Sequence, residues 1–221
     1  MSDRAGPIRI VPRRESGGAP ERLLEAAERL FAERGFDGAS VRDLTAEAGV
    51  NIAAVNYHFG GKENLYRQMM LRRAQELSDR RLAAVRAIAA RPRSQVVLED
   101  LLRAFALAFL EPLAEPTRGS RFFRLLIREV GAPRLGRDVW DVLSSAVEQE
   151  FIAELRRFEP GVSETDARFS LHALRGHLGH VVQVAELTGS LQSGKPLGFT
   201  LPKLVERLVD YTAAGIRAQA Q

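Results

Sequence analysis

Apolar residues recur at steps of three and four along most of this chain, which is the spacing that puts side chains on one face of an α-helix. The pattern begins after Pro20 and stops at Gly35, so it predicts a first helix between them. Its apolar positions are Leu23, Leu24, Ala27, Leu30 and Phe31. No segment alternates apolar and polar residues for long enough to predict a strand. The chain is therefore expected to be all-α.

Two short helices joined by a glycine turn are predicted next. Residues 40–43 read Ser-Val-Arg-Asp, which is the form of a capping box, and apolar positions then continue to Gly49. Asn51 can cap a third helix that runs to Phe59. These dimensions are typical of a helix-turn-helix. Its inner face is predicted to consist of Val41, Leu44, Ala48, Val50, Val55 and Phe59.

A long fourth helix is predicted from residue 62 to about residue 90, after the pair Gly60-Gly61. Prolines and glycines beyond Pro92 then separate five more helical stretches. We place these stretches near 94–110, 117–130, 134–157, 163–190 and 202–218. The prediction is an N-terminal three-helix head, a long helix that joins it to a larger helical body, and about nine helices in all.

Composition restricts the class of protein and its compartment but does not predict a fold. The 221 residues are 45% hydrophobic and contain no cysteine, which suits a conventional core, excludes disulfides and favours a reducing compartment. No apolar run approaches the roughly 18 residues that suggest a membrane span, and no charged-then-apolar leader opens the chain. We expect a cytoplasmic, nucleoid-associated protein that makes no contact with membranes.

The charge balance permits a polyanionic partner without demanding one. Lysine and arginine together number 32 against 28 acidic residues, for a net charge of +4. Residues 20–67, in contrast, carry six basic and eight acidic side chains, so the head itself is not basic. Residues 1–19 combine arginines with glycines and prolines and are predicted to form a flexible basic arm; the alternative is a terminus without a role.

The outer side of the third helix carries residues suited to reading DNA. Ala53 and Ala54 are small enough to let the helix lie deep in a major groove, and the Asn56 amide can bond adenine. Arg42 could contact either a guanine edge or a neighbouring phosphate. The side chains around them that suit phosphate are Ser40, Tyr57, His58 and Lys62.

The stretch SVRDLTAEAGVNIAAVNYHFGGKENLY resembles the DNA-binding domain of the TetR family of bacterial transcriptional regulators. NYHFGGKENLY, with REVGAP at 128–133, is also similar to the CecR-like subgroup. The resemblance implies phosphate contacts at Ser40, Tyr57, His58 and Lys62 and base contacts at Arg42, Ala53, Ala54 and Asn56. Two positions depart from the family pattern: Thr45 stands where alanine is usual, and Asn56 where tyrosine is common.

The resemblance also divides the chain into the arm at 1–19, a helix-turn-helix DNA-binding domain at 20–66 and a ligand-binding and dimerisation domain at 67–221. Aromatic and polar residues in the middle of the body are candidates for the ligand pocket, or alternatively plain core: Phe105, Phe109, Phe122, Arg128, Trp140, Phe169, His172 and Arg175. The apolar seams of the last two helices are candidates for the dimer interface, or alternatively face their own subunit: Leu171, Leu174, Leu178, Val182, Leu204, Leu208 and Tyr211.

Motifs for catalysis are absent from the sequence. It has no phosphate-binding glycine loop, nucleophile elbow or zinc-protease helix, so we expect neither an enzyme nor a cofactor. His172, His177 and His180 have no evident carboxylate partner, which argues against a metal site.

The prediction is a homodimeric regulator, most often a repressor in such families, that reads a palindromic operator in double-stranded DNA and responds to an unidentified small-molecule effector. The alternatives are an activator, a ligand-independent regulator, or a helical small-molecule binding module that has lost DNA binding.

Overall fold

The structure, a computed structural model, describes residues 18–114, 119–131, 136–189 and 196–220. These residues form nine α-helices, two short 3-10 turns and no strand, which confirms the all-α prediction. The helices are α1 (Ala19–Gly38), α2 (Val41–Ala48), α3 (Ala53–Phe59), α4 (Lys62–Ala89), α5 (Leu98–Ala114), α6 (Gly119–Gly131), α7 (Arg137–Phe158), α8 (Glu164–Leu187) and α9 (Leu201–Gln219). Residues 1–17 of the predicted arm lie outside the described residues.

The chain divides into two compact units, with the boundary between Met70 and Leu71 in α4. In the first unit, which we call the head, α1 packs against α2 and α3. Gly35 interrupts α1 with φ 75°, a left-handed conformation that glycine adopts without steric cost, and the helix resumes to Gly38. The sequence predicts an end at Gly35, whereas the structure has a kink there.

An aromatic cluster closes the core of the head. The ring of Tyr66 meets that of Phe31 edge-on at 5.0 Å and that of Phe36 at 5.2 Å between centroids. Phe31 and Leu23 on α1 are fully buried, as is Leu44 on α2. The apolar face predicted for α1 is thus the face that packs against the other helices.

The second unit, the body, is a helical bundle in which α5 packs on α9, α7 on α8, and α8 on α9. Phe105 and Phe151 are fully buried at its centre with ring centroids 5.1 Å apart. Arg103 on α5 binds both carboxylate oxygens of Glu206 on α9, at 2.7 and 2.8 Å. Apolar packing and exposed ion pairs therefore join the same two helices.

The structure corrects most of the predicted dimer interface. Five of its seven residues are buried within their own chain: Leu171, Leu174, Leu178, Val182 and Leu204. Because these five side chains are buried in a single chain, they are not available to a partner. Leu208 is half-buried, and Tyr211 is 69% exposed. The error has a simple cause: a helix that faces its own core and one that faces a partner show the same apolar spacing.

Candidate nucleic-acid interface

The turn between α2 and α3 is fixed by backbone hydrogen bonds and one side chain. Gly49 adopts the left-handed conformation (φ 62°, ψ 41°), and its N–H donates to the Ala46 carbonyl at 3.1 Å. The Asn51 Oδ1 then accepts the N–H of Ala53 at 2.8 Å, so this side chain satisfies a free donor where α3 begins. The predicted glycine turn and the predicted capping role of Asn51 are both present.

The start of α2 is a capping box, as the sequence predicts. Ser40 Oγ accepts the Asp43 N–H at 3.1 Å, and Asp43 Oδ2 accepts the Ser40 N–H at 3.0 Å. The Ser40 hydroxyl also donates to Asp43 Oδ2 at 2.6 Å. These hydrogen bonds, the side-chain one foremost, hold the pKa of Asp43 below its ordinary value. The Asp43 carboxylate therefore forms its hydrogen bonds with Ser40 at the start of α2.

Two buried side chains attach α3 to the head. Val55 and Phe59 are buried, as are Leu44 and Ala48 of α2, and α3 packs against both α1 and α2. Of the other two predicted inner positions, Val41 and Val50 are half-buried. Thr45, the departure from the family pattern, is buried, and its Oγ1 donates to the Val41 carbonyl at 2.9 Å. The helix carbonyl thus satisfies the hydroxyl, and threonine is accommodated in the core.

The opposite side of α3 faces solvent. Tyr57 is 84% exposed, and its only described ring contact is an edge-on one with His58 at 4.8 Å between centroids. Ala53 and Asn56 are exposed, whereas Ala54 is half-buried. Ile52, which is not among the predicted base contacts, is 57% exposed at the beginning of the helix. Ile52 is an apolar residue outside the predicted inner face of the helix-turn-helix, and this position is the sequence signal that marks it as a candidate DNA contact.

The remaining predicted contacts lie on α2 and at the start of α4. Ser40 and Arg42 are exposed at the first turn of α2, while His58 and Lys62 are half-buried. The Lys62 ammonium lies 4.3 Å from the centre of the Phe36 ring, a cation–π contact that orients this charge.

Two acidic side chains of the head are held by partners outside α3. The Glu47 carboxylate lies 2.9 Å from Arg29, and that of Asp43 lies 3.8 Å from Arg34 and bonds Ser40. The sequence of α3 contains no acidic residue. The net negative charge counted over residues 20–67 is thus not on the helix that would meet DNA.

The predicted pocket residues of the body fall into separate groups. Phe105, Phe109 and Phe122 are buried, and Trp140 is half-buried. Phe169 is 63% exposed and His172 is also exposed, so these two do not line the interior; this corrects their assignment to a pocket. Arg175 is mostly shielded from solvent. The side chain of Arg128 lies outside the described residues.

A buried arginine of the body was not predicted. Arg81 on α4 is only 2% exposed, and its Nε and Nη2 donate to the carbonyls of Leu77 at 3.3 Å and Leu143 at 2.9 Å. Burial, with Arg175 as a second cause, lowers the pKa of Arg81 to about 9. In the sequence it stands in the charged run Asp-Arg-Arg, which is typical of a solvated helix face, so no pattern distinguishes it.

Two other kinds of site are absent from the described residues. In the described ranges, no three histidine, cysteine, aspartate or glutamate side chains are grouped so as to hold a metal ion. None of the helices in these same ranges has the length and apolar character needed to cross a membrane.

Comparison with known proteins gives the family context. The model described as bacterial regulatory proteins, tetR family, matches residues 23–69, and that described as tetracyclin repressor-like, C-terminal domain, matches residues 103–215. The HTH-type transcriptional repressor AcnR of Corynebacterium glutamicum is 41% identical over 69 residues, which are 29% of this chain and 37% of AcnR. The HTH-type transcriptional dual regulator CecR of Shigella flexneri is 48% identical over 48 residues, 22% of this chain and 21% of CecR. These matches therefore span well under half of each relative.

Solved structures extend the similarity to both units. A member of the TetR family from Streptomyces coelicolor A3 has a TM-score of 0.63 and 22% identity, covering 90% of this chain and 99% of the other. A TetR-family transcriptional regulator from Streptomyces coelicolor has a TM-score of 0.62 and 21% identity, covering 92% and 90%. At these identities the similarity is one of fold.

Proposed function

This chain belongs to the TetR family of bacterial transcriptional regulators, whose members are not enzymes, and we propose that it is a ligand-responsive repressor that a small-molecule effector releases from a palindromic operator. The observation that carries the proposal is the solvent-facing side of α3, where Tyr57 is 84% exposed beside an alanine and an amide. An exposed helix side of this kind is available to a major groove.

Within this proposal the residues divide into two roles. Ala53, Ala54 and Asn56 read base edges, while Arg42 contacts either a guanine or a phosphate. Ile52 can add an apolar contact with a thymine methyl group because it is exposed beside Ala53. The phosphate contacts come from Ser40, Tyr57, His58 and Lys62. Base contacts then determine which DNA sequence is bound, and phosphate contacts fix the position of the head along the duplex.

A second copy of the chain is part of the proposal. A recognition helix of seven residues makes a short contact, so specific binding requires two heads about 34–36 Å apart, one helical turn of DNA. The exposed side of α8 and α9 suits this partner: Phe169 and Tyr211 are exposed there, and a Cβ added at Gly176 or Gly215 would meet nothing within 4 Å of its own chain. Glycines let two helix backbones approach closely.

The proposed release from DNA follows from a shift in the populations of two conformations of the dimer. An effector that binds the body more tightly in one of two conformations favours that conformation. If its head separation does not fit two successive major grooves, the dimer loses one of its two contacts and dissociates from the operator. We place this regulator in the cytoplasm, on the nucleoid.

A gel shift tests the DNA-binding part of the proposal. The probes are fragments of the DNA that flanks the gene of this protein, with unrelated fragments of equal length as competitors. We expect specific retardation, its loss in the double variant Tyr57→Ala, Lys62→Met, and its retention in Lys203→Met, which removes an exposed lysine from α9. Failure to retard any genomic fragment would favour a binding module without DNA recognition.

Sedimentation velocity tests the dimer. The wild-type chain should sediment as a dimer, and Gly176→Leu should shift it toward monomer because the new side chain projects from the proposed interface. Ala87→Leu is the matched control, since it adds the same side chain to an exposed position of α4. A wild-type monomer at every concentration, or equal behaviour of the two variants, would contradict this interface.

A further inference from the structure

Arg81 is a buried cation for which no described residue supplies a counter-charge. Its two hydrogen bonds go to the main-chain carbonyls of Leu77 and Leu143, and among the described side chains no carboxylate forms an ion pair with it. Burial of an unpaired ion is strongly unfavourable, so such groups are as a rule paired or bound to a ligand. No described side chain therefore supplies an anion at this position.

Arg175, on α8, provides a second guanidinium group that contacts α7 at the same place. Its Nη2 donates to the carbonyl of Ser144 at 3.3 Å, the carbonyl that directly follows the one bound by Arg81. The Nε of Arg175 is buried and has no hydrogen-bond partner. The two guanidinium groups thus bind successive carbonyls of α7, and the Nε of Arg175 remains as a donor for a further acceptor.

The charges around this pair do not cancel. Glu148 pairs with Arg175 at 3.5 Å and is also contacted by Arg168, whose Nη2 in turn bonds Glu164 at 2.8 Å. His172 is the other titratable group facing Glu148, at 3.8 Å. Among the described residues, Arg81, Arg168 and Arg175 together with Glu148 and Glu164 sum to one excess positive charge. A monoanion would balance it.

An apolar wall adjoins the charged end. The guanidinium carbon of Arg81 lies 5.9 Å from the ring centre of Phe105 and 5.7 Å from that of Phe109. The ring of Phe109 in turn lies 5.2 Å from that of Phe123. A molecule that reaches Arg81 therefore meets aromatic side chains next to the charge, which suits a ligand with one anionic end and an apolar remainder.

We propose that Arg81 and Arg175 form the anion-binding end of the effector site, and that the effector is an organic monocarboxylate with an apolar acyl or aryl group. The inference rests on the proposed function for the idea that the body binds an effector. A carboxylate accepts the parallel N–H groups of a guanidinium and gives Arg81 the counter-charge that none of the described residues provides.

Calorimetric titration of the full chain tests the proposal. The probes are straight-chain carboxylates from butanoate to dodecanoate and arylcarboxylates from benzoate to 4-phenylbutanoate, each compared with its neutral primary amide. We expect at least one carboxylate to bind, and its amide to bind about 30-fold more weakly or worse, as expected when a buried charge pair loses one partner. No binding by any member of the series would overturn the proposal.

Variants separate recognition from stability. Arg81→Met should weaken the bound carboxylate by a similar factor, whereas Arg86→Met, an exposed arginine on the same helix, should not. The Leu77 and Leu143 carbonyls lie inside helices and accept helical N–H groups as well, so Arg81→Met should melt at or above the wild-type temperature. Unchanged carboxylate affinity in Arg81→Met would show that Arg81 has only a structural role and would overturn the proposal.

Gel shifts without carboxylate keep the two proposals distinguishable. Arg81→Met should still retard the operator fragment, because the variant alters the body alone. A wild-type protein that binds a carboxylate through Arg81 and retards no DNA would refute the repressor while supporting the anion site. A protein that retards DNA while every carboxylate fails would overturn the anion site alone.

Discussion

Removal of one oxygen atom from Tyr57 gives a sharp test of how the head contacts DNA. The side chain is 84% exposed, and its described ring contact is with neighbouring His58 alone. Tyr57→Phe retains the ring and therefore that contact. We expect the free energy of unfolding to change by less than about 0.5 kcal/mol, as for surface substitutions in general.

The expected loss of affinity follows from the hydrogen bond. A hydroxyl that donates to a charged phosphate contributes about 1.5–3 kcal/mol net. Two subunits on a palindrome double this to about 3–6 kcal/mol, which corresponds to roughly 140- to 20,000-fold weaker binding at about 1.4 kcal/mol per tenfold. Because tyrosine carries no charge, the dependence of affinity on salt should not change.

Fluorescence anisotropy titrations of the operator fragment at several salt concentrations measure both quantities. Thr165→Val is the matched control, since it removes an exposed hydroxyl from α8 without touching the head. Equal affinities of Tyr57→Phe and wild type within twofold would refute the phosphate contact. A lowered melting temperature would instead show that the hydroxyl supports the fold.

Three further predictions concern charge, backbone strain and pH. Lys62→Met should weaken DNA binding to all sequences and reduce the salt slope by about two per dimer, because each lysine releases about one counterion; an unchanged slope in anisotropy titrations would refute it. Gly49→Ala should lower the free energy of unfolding by about 1–2 kcal/mol in urea titrations, since the cost is conformational and a Cβ there meets nothing within 4 Å. Arg103→Met should lower body stability at pH 7 by at most about 1 kcal/mol. Hydrogen bonds from Arg103 hold the pKa of Glu206 below 4.5, so this stability is present above the ordinary value and lost as pH falls through the folded-state pKa. Thermal melts of the two proteins should therefore converge in acid, and a constant difference would contradict this explanation.

The helices of the head were predictable because local signals agree there. Capping residues, glycines and apolar spacing all point to the same boundaries, and the structure confirms the capping box at Ser40 and the turn at Gly49. In the body the signals are weaker. The stretch predicted from residue 94 begins as a helix only at Leu98, since residues 93–95 form a 3-10 turn after Pro92.

The candidate sites were predictable only in part, because they depend on tertiary contacts. Spacing identifies the apolar side of α8 but not whether that side meets its own subunit. It therefore predicts Leu171 and Leu174 at an interface, whereas the structure buries them in the core. Likewise, nothing in the sequence distinguishes Arg81 from its exposed neighbour Arg80. That difference arises from the carbonyl of Leu143, 62 residues away in the chain.

The attachment of α3 by only Val55 and Phe59 has a consequence for how this regulator could change its target. Positions 52, 53, 56 and 57 are exposed, so the DNA contacts proposed there can be substituted while the head remains folded. Operator preference can therefore diverge, or be redesigned in a library of variants, without compensating mutations elsewhere in the chain.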